Sequence, residues 1–154
     1  MPRILVALGS NLADPAGAVA LGWHAVCTQL GLIDTLCSDM FVTQPAEGAT
    51  GASFVNAVGR GECTHSPMEV LVILQSIEAA FGRDRAREGF HGARPLDLDL
   101  LDHGGVVLDT PALQLPHPRL HQRAFVLRPL AQVTRDFVDA RTGRTLAQLL
   151  ASLS

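Results

Sequence analysis

The sequence predicts an α+β sandwich of the ferredoxin-like βαββαβ kind, with a mainly antiparallel sheet, helices on one face and extra elements at the C-terminal end. Three observations lead there. Short runs with strand patterning and two segments of helical periodicity follow one another in the order strand, helix, strand, strand, helix, strand. Both helical segments carry start and stop signals. The chain has 154 residues and 47% hydrophobic content, enough for one packed core, and no repeat or low-complexity linker divides it, so residues 1–154 read as one domain.

Residues 3–8 form a short apolar run ended by Gly9, which predicts a buried strand. Asp14-Pro15 then supplies an N-cap followed by proline at the first helical position. Val19, Trp23, Val26 and Leu30 recur at helical spacing until Gly31 closes the helix. Residues 32–42 read as the second strand, and "TQPAEGATGA" (43–52) as a loop of small residues. The third strand, "SFVNAVGR" (53–60), alternates apolar and polar residues and carries Asn56. "SPME" (66–69) is a capping box with proline inside it, and the helix it opens has the stripe Val70, Leu74, Ile77 and Phe81, with Gly82 at C′. A long polar loop runs from Arg83 to about Ala93, followed by the fourth strand and a turn at "DHGG" (102–105) into Val106, Val107 and Leu108. Beyond "PHP" (116–118), short helices are expected around 119–134 and 144–152.

Composition narrows the chemistry. The formal net charge of −3 argues against a nucleic-acid footprint. All twelve basic residues are arginine, which excludes a phosphate-loop lysine, a Schiff-base lysine and a Ser-Lys pair. Eight of the twelve fall between 83 and 135, and the planar guanidinium fork suits oxyanions. Cys27, Cys37 and Cys63 contain no CxxC pair, so they read as small buried hydrophobes. The run Ile4–Leu8 is too short for a signal-peptide core, and no span approaches the ~20 apolar residues of a membrane helix. A soluble, cytoplasmic protein is expected.

The most informative stretch is "RPLDLDLL" (94–101). On an extended strand Asp97 and Asp99 project to one side, Cα atoms roughly 6.5 Å apart, while Leu96, Leu98 and Leu100 point to the other. Two carboxylates on one face can meet solvent or arginines. They can also hold magnesium, which binds through one or two carboxylates plus substrate phosphates. The loop just before them, "GRDRAREGFHGARP" (82–95), is rich in arginine and glycine. Such a loop could cover a polyphosphate, exclude water and stabilise charge as it develops.

Five collinear segments, "ALGSNL" (7–12), "FVNAV" (54–58), "LQSIEAAFGRDR" (74–85), "GARPLDLDLL" (92–101) and "LPHPRLHQRAFVLRPL" (115–130), closely resemble the 6-hydroxymethyl-7,8-dihydropterin pyrophosphokinase family of folate biosynthesis. The resemblance implies a kinase that moves the terminal pyrophosphoryl unit of ATP to the pterin hydroxymethyl group and releases AMP. It implies that Asp97 and Asp99 hold two magnesium ions and that Arg83 and Arg94 lie nearest the transferring phosphates. Gln75, Glu78, Arg85, His117 and Arg123 match the family's ATP contacts, with Leu71 and Leu100 near the adenine. Thr43, Pro45 and Ala46 align with the loop at the pterin's polar edge, Asn56 would read that edge, and Phe54 and Phe125 would sandwich the ring. The implied partners are these two small molecules; no nucleic-acid or membrane partner is expected, and the protein is expected to be a monomer. No residue stands out as a general base.

The chain departs from the family in several places. The arginine loop is one residue longer than in some members, with Phe90-His91 where many have an aromatic preceded by arginine. Pro95 replaces a common threonine, and Ala112 and Gln114 stand where some members present arginine and threonine to ATP. These departures motivate an alternative, a catalytically impaired pterin-binding or interaction module of the same fold. A metal-dependent phosphohydrolase would share the aspartates, but no residue is evident to position its water.

Overall fold

The computed structural model describes residues 1–12, 14–43, 53–82 and 95–153. Its centre is β1 (Arg3–Ser10), whose Ile4, Leu5, Val6 and Leu8 are each at most 2% exposed. A strand buried on both faces reads as a continuous apolar run, which is what residues 3–8 are. Then come α1 (Pro15–Leu30), β2 (Ile33–Cys37), β3 (Phe41–Thr43), β4 (Phe54–Glu62), α2 (Pro67–Ala80) and β5 (Asp97–His103). The sheet runs β2, β4, β1, β5, with β3 also paired to β4. Every one of these pairings is antiparallel. This is the expected βαββαβ arrangement with its second strand divided in two.

The division has a local cause. Cys37 faces Gly59 and Phe41 faces Asn56, so four steps along one strand cover three along its partner. At the bulge the Ser38 hydroxyl takes the place of a ladder carbonyl: the Val58 N–H donates to Ser38 Oγ at 2.9 Å, and the Ser38 N–H donates to the Val58 carbonyl at 2.9 Å. The next N–H, of Asp39, donates to the side-chain oxygen of Gln132 at 2.7 Å. The expected single strand over 32–42 is therefore two short strands.

Both long helices are capped as their sequences predict. The Asp14 carboxylate accepts the Gly17 N–H, and Gly31 closes α1 at φ 61°. Ser66 and Glu69 cap α2 reciprocally, and Gly82 follows it at φ 90°. The two helices pack on one sheet face over Ile4, Val6, Leu8, Val55, Ala57, Leu98 and Leu100. Close approach is built in, since a Cβ at Gly59 would collide with the Trp23 ring and one at Gly22 would meet Leu96.

The C-terminal elements cover the other face. A two-stranded ribbon, β6 (Leu108–Asp109) and β7 (Gln114–Leu115), leads through a 3-10 turn (Leu120–Gln122) to α3 (Ala124–Val133) and α4 (Leu146–Ala151). Val106 and Val107 precede the ribbon as exposed coil rather than strand. α3 lays Val126, Leu127 and Leu130 against Leu5, Val58 and Leu101. As a result β4, which alternates polar and apolar in sequence, is buried continuously from Val55 to Gly59. Cys27, Cys37 and Cys63 all carry free thiols whose pKa is raised by burial, that of Cys27 to about 11, in keeping with a packing role. Among the described residues no helix is long and apolar enough to cross a membrane.

Candidate active site

The site begins as a row across the sheet. Gly9 on β1 lies opposite Asn56 of β4 on one side and Asp97 of β5 on the other, and Ala7 lies opposite Val58 and Asp99. With period-two alternation, Asn56, Asp97 and Asp99 project to the face on which α3 packs. Leu96, Leu98 and Leu100 project to the other and are 0%, 5% and 3% exposed. Glycine leaves room in the middle of this row: a Cβ at position 9 would stand 3.1 Å from Asn56 Oδ1, a tight contact that would press on the amide. α3 covers only part of this face, so the row opens into space.

That space is two cavities. The first, of about 430 Å³, is lined by Thr43, Phe54, Asn56, Arg119, Arg123 and Phe125 together with β1 backbone around Gly9. The second, of about 330 Å³, is lined by Leu71, Gln75, Glu78, Leu100, Ala112 and Gln114, with Pro111, Leu113 and Pro118. Asp97, Asp99 and His117 line both. The two aspartates therefore stand where the cavities meet.

Several of the polar groups have identifiable holders. Asn56 Nδ2 donates to Thr43 Oγ1 at 2.9 Å, fixing which way the amide faces. Glu78, 3% exposed, accepts the buried Leu98 N–H on Oε2 at 2.9 Å and so ties α2 to the strand between the two aspartates. At the entry to β5 the Ser10 hydroxyl donates to the Pro95 carbonyl at 2.7 Å. Arg123 Nη1 lies 3.6 Å from Asp99 Oδ2, and the Arg123 guanidinium sits 5.5 Å from the centroid of the Phe125 ring.

His117 is set by its backbone and by its neighbours. Its N–H donates to the Leu101 carbonyl at 2.9 Å, and its Nδ1 accepts the Arg119 N–H at 3.2 Å. An accepting Nδ1 puts the proton of the neutral ring on Nε2. Burial, then the charges of Arg123 and Arg119, push its pKa down to about 4, with Asp97 opposing the shift. The ring is thus a neutral N–H donor at neutral pH, between two cavities.

Of the residues singled out from sequence, Thr43, Phe54, Asn56 and Phe125 gather on the first cavity, and Leu71, Gln75, Glu78 and Leu100 on the second. Arg123, matched to the ATP contacts, lines the first cavity. Arg83, Arg85 and Arg94, Pro45 and Ala46, and the departures Phe90 and His91 lie outside the described residues. Arg119 was not singled out as a site residue, although it belongs to the arginine cluster and to the "PHPRLHQR" run. Gly9 and Ala7 carry no polar signal and show themselves only through strand register.

Asp97 and Asp99 form the donor set to weigh for a metal. Among the described residues no three of His, Cys, Asp and Glu come together to enclose an ion. Two carboxylates beside an open cavity fit magnesium, which keeps several waters and takes its remaining ligands from phosphate oxygens.

Residues 5–135 match the family described as 7,8-dihydro-6-hydroxymethylpterin-pyrophosphokinase (HPPK). The 2-amino-4-hydroxy-6-hydroxymethyldihydropteridine pyrophosphokinase of Pseudomonas aeruginosa is 37% identical over 150 residues, covering 97% of this chain and 91% of that one. The protein of the same name from Methylorubrum extorquens is 34% identical over 153 residues, covering 99% and 94%. Among solved structures, Plasmodium falciparum HPPK-DHPS with pteroate superimposes with a TM-score of 0.75 at 12% identity, covering 98% of this chain. That likeness is one of fold, and the present chain spans 42% of that longer one.

Proposed function

The chain belongs to the 7,8-dihydro-6-hydroxymethylpterin-pyrophosphokinase family, and from that premise we propose that it catalyses ATP-dependent pyrophosphoryl transfer to the hydroxymethyl group of 6-hydroxymethyl-7,8-dihydropterin in folate biosynthesis. The hydroxymethyl oxygen forms a bond to the β-phosphorus of ATP and gives up its proton to water, the bond between that phosphorus and the α–β bridging oxygen breaks, and AMP leaves. The observation that carries this reading is the meeting of two cavities of different character at Asp97, Asp99 and His117. A transfer between two bound molecules needs that junction.

In this reading the first cavity takes the pterin. Phe54 and Phe125 stack on the ring, while Asn56, oriented by Thr43, reads its amide-like edge; Pro45 and Ala46 are assigned to that edge by the sequence match alone. The second cavity takes the nucleotide, with Leu71 and Leu100 against the adenine and Gln75 and Glu78 along its polar side. His117 directs its Nε2–H at phosphate oxygen, and Arg83, Arg85, Arg94 and Arg123 supply fixed positive charge to the triphosphate. Asp97 and Asp99 would hold two magnesium ions, whose charge, when bound, offsets that of the phosphates and favours ionisation of the attacking hydroxyl. No side chain is assigned as a general base, since a loose phosphoryl-transfer transition state asks chiefly for positioning and charge stabilisation. A single-domain, cytoplasmic monomer completes the proposal.

The test is direct. With ATP, magnesium and the pterin alcohol, AMP should appear in proportion to pterin consumed. ADP as product, or no nucleotide turnover, would sink the reading. Ala112 and Gln114 on the wall of the second cavity favour one other reading, a module that keeps the pterin pocket and has lost catalysis. Calorimetry with an unreactive ATP analogue separates the two: pterin-dependent nucleotide binding supports the enzyme, and pterin binding alone supports the module.

A further inference from the structure

The first cavity holds two guanidiniums, and they are differently committed. Arg123 is paired with Asp99 and lies over Phe125. Arg119 lines the same cavity, is exposed, and its guanidinium makes no hydrogen bond or ion pair among the described residues. Its backbone is nonetheless fixed. The Arg119 N–H donates to His117 Nδ1, its carbonyl accepts the Gln122 N–H at 3.1 Å, and Leu120 beside it is 1% exposed in the core under α3.

A guanidinium held at its base, without a carboxylate partner, on the wall of a cavity is a site for an oxyanion. Before the reaction the first cavity holds an uncharged alcohol, and the polyanion lies on the far side of Asp97 and Asp99. Afterwards the diphosphate is esterified to the occupant of the first cavity. Its charge then sits beside two carboxylates, one of which already engages Arg123.

We propose that Arg119 binds the diphosphate of the product on the pterin side of Asp97 and Asp99. The assignment rests on the pyrophosphokinase reading above. It makes Arg119 a residue that discriminates product from substrate in one cavity, touching the group that has moved rather than the ring that carries it. Because the contact is charge-assisted and partly open to water, its loss should weaken the product by about tenfold.

The experiment is calorimetric titration of the wild-type protein, Arg119→Ala and Arg119→Lys with three probes: the pterin alcohol, its diphosphate ester, and an unreactive magnesium–ATP analogue. In Arg119→Ala the ester should weaken about tenfold while the alcohol and the analogue each change by less than about twofold. Arg119→Lys, which keeps the charge without the fork, should recover part of the loss, and ester binding to Arg119→Ala should be less sensitive to salt. Unchanged ester affinity in Arg119→Ala overturns the assignment. So does an equal loss for the alcohol, which would make Arg119 a ring contact, or for the analogue, which would make it a nucleotide contact. If the wild-type protein binds neither alcohol nor ester, the pterin reading of the cavity falls and the assignment with it; if it binds both, the behaviour of the variants judges Arg119 alone.

Discussion

Asp97 and Asp99 owe their position to one-residue alternation on a strand whose other side is leucine. Because their carboxylates face a cavity and not the core, removing them should cost function far more than stability. Asp97→Ala and Asp99→Ala are expected to reduce turnover at least about a hundredfold, with unfolding midpoints close to wild type. Near-normal rates in either variant would refute the metal assignment. His117 makes a pH prediction. Its folded pKa of about 4 lies below the ordinary value of about 6.5, so between these values the unfolded chain binds more protons. Its contribution to stability is complete above about pH 6.5 and declines as pH falls toward 4. Thermal unfolding of His117→Gln across this range should show a shallower acid loss than wild type, and ring-proton titration by NMR should place the wild-type midpoint near 4. A midpoint near 6.5 would contradict the burial and arginine proximity that make this ring a neutral donor.

At the scale of elements, α2 and β5, which flank an arginine-rich segment, are tied by a buried acceptor as well as by apolar packing. Glu78 lies in the last turn of α2 yet is almost wholly buried, and its Oε2 satisfies the Leu98 N–H. Glu78→Ala leaves that N–H buried without its acceptor and should cost about 1–3 kcal/mol, while Glu78→Gln keeps an oxygen there and should cost less. Urea denaturation decides it, and equal losses in the two variants would mean that the tie is not the source. The same scale explains what could be read in advance. Asp14-Pro15, Gly31, "SPME" and Gly82 mark helix ends because caps act within a few residues of the backbone groups they satisfy. The break between β2 and β3 was not legible, since it depends on Ser38 meeting Val58 and on Asp39 meeting Gln132, 93 positions away. Nor was the burial of both faces of β4, which α3 creates from the far end of the chain.

On the scale of the whole molecule, the two cavities share walls, so their occupants should sense one another. With magnesium present, an unreactive ATP analogue and the pterin together should raise the melting temperature by more than the sum of their separate effects. Chelating the divalent cation should remove the nucleotide's effect and leave most of the pterin's. Strictly additive shifts, or a nucleotide shift that survives chelation, would show that Asp97 and Asp99 do not link the sites. The primary structure alone determined the alternation of strands and helices, the helix ends, the shared face of the two aspartates and the family resemblance. Each is carried by residues within a few positions of one another or by motif order. Only the tertiary structure decided that Gly9 separates Asn56 from Asp97, that Arg119 and Arg123 share a cavity wall, and that His117 stands half-buried on the same wall. These depend on strand register and on α3 closing over the sheet, where the free energy of burying apolar surface sets distances between residues that the chain keeps far apart.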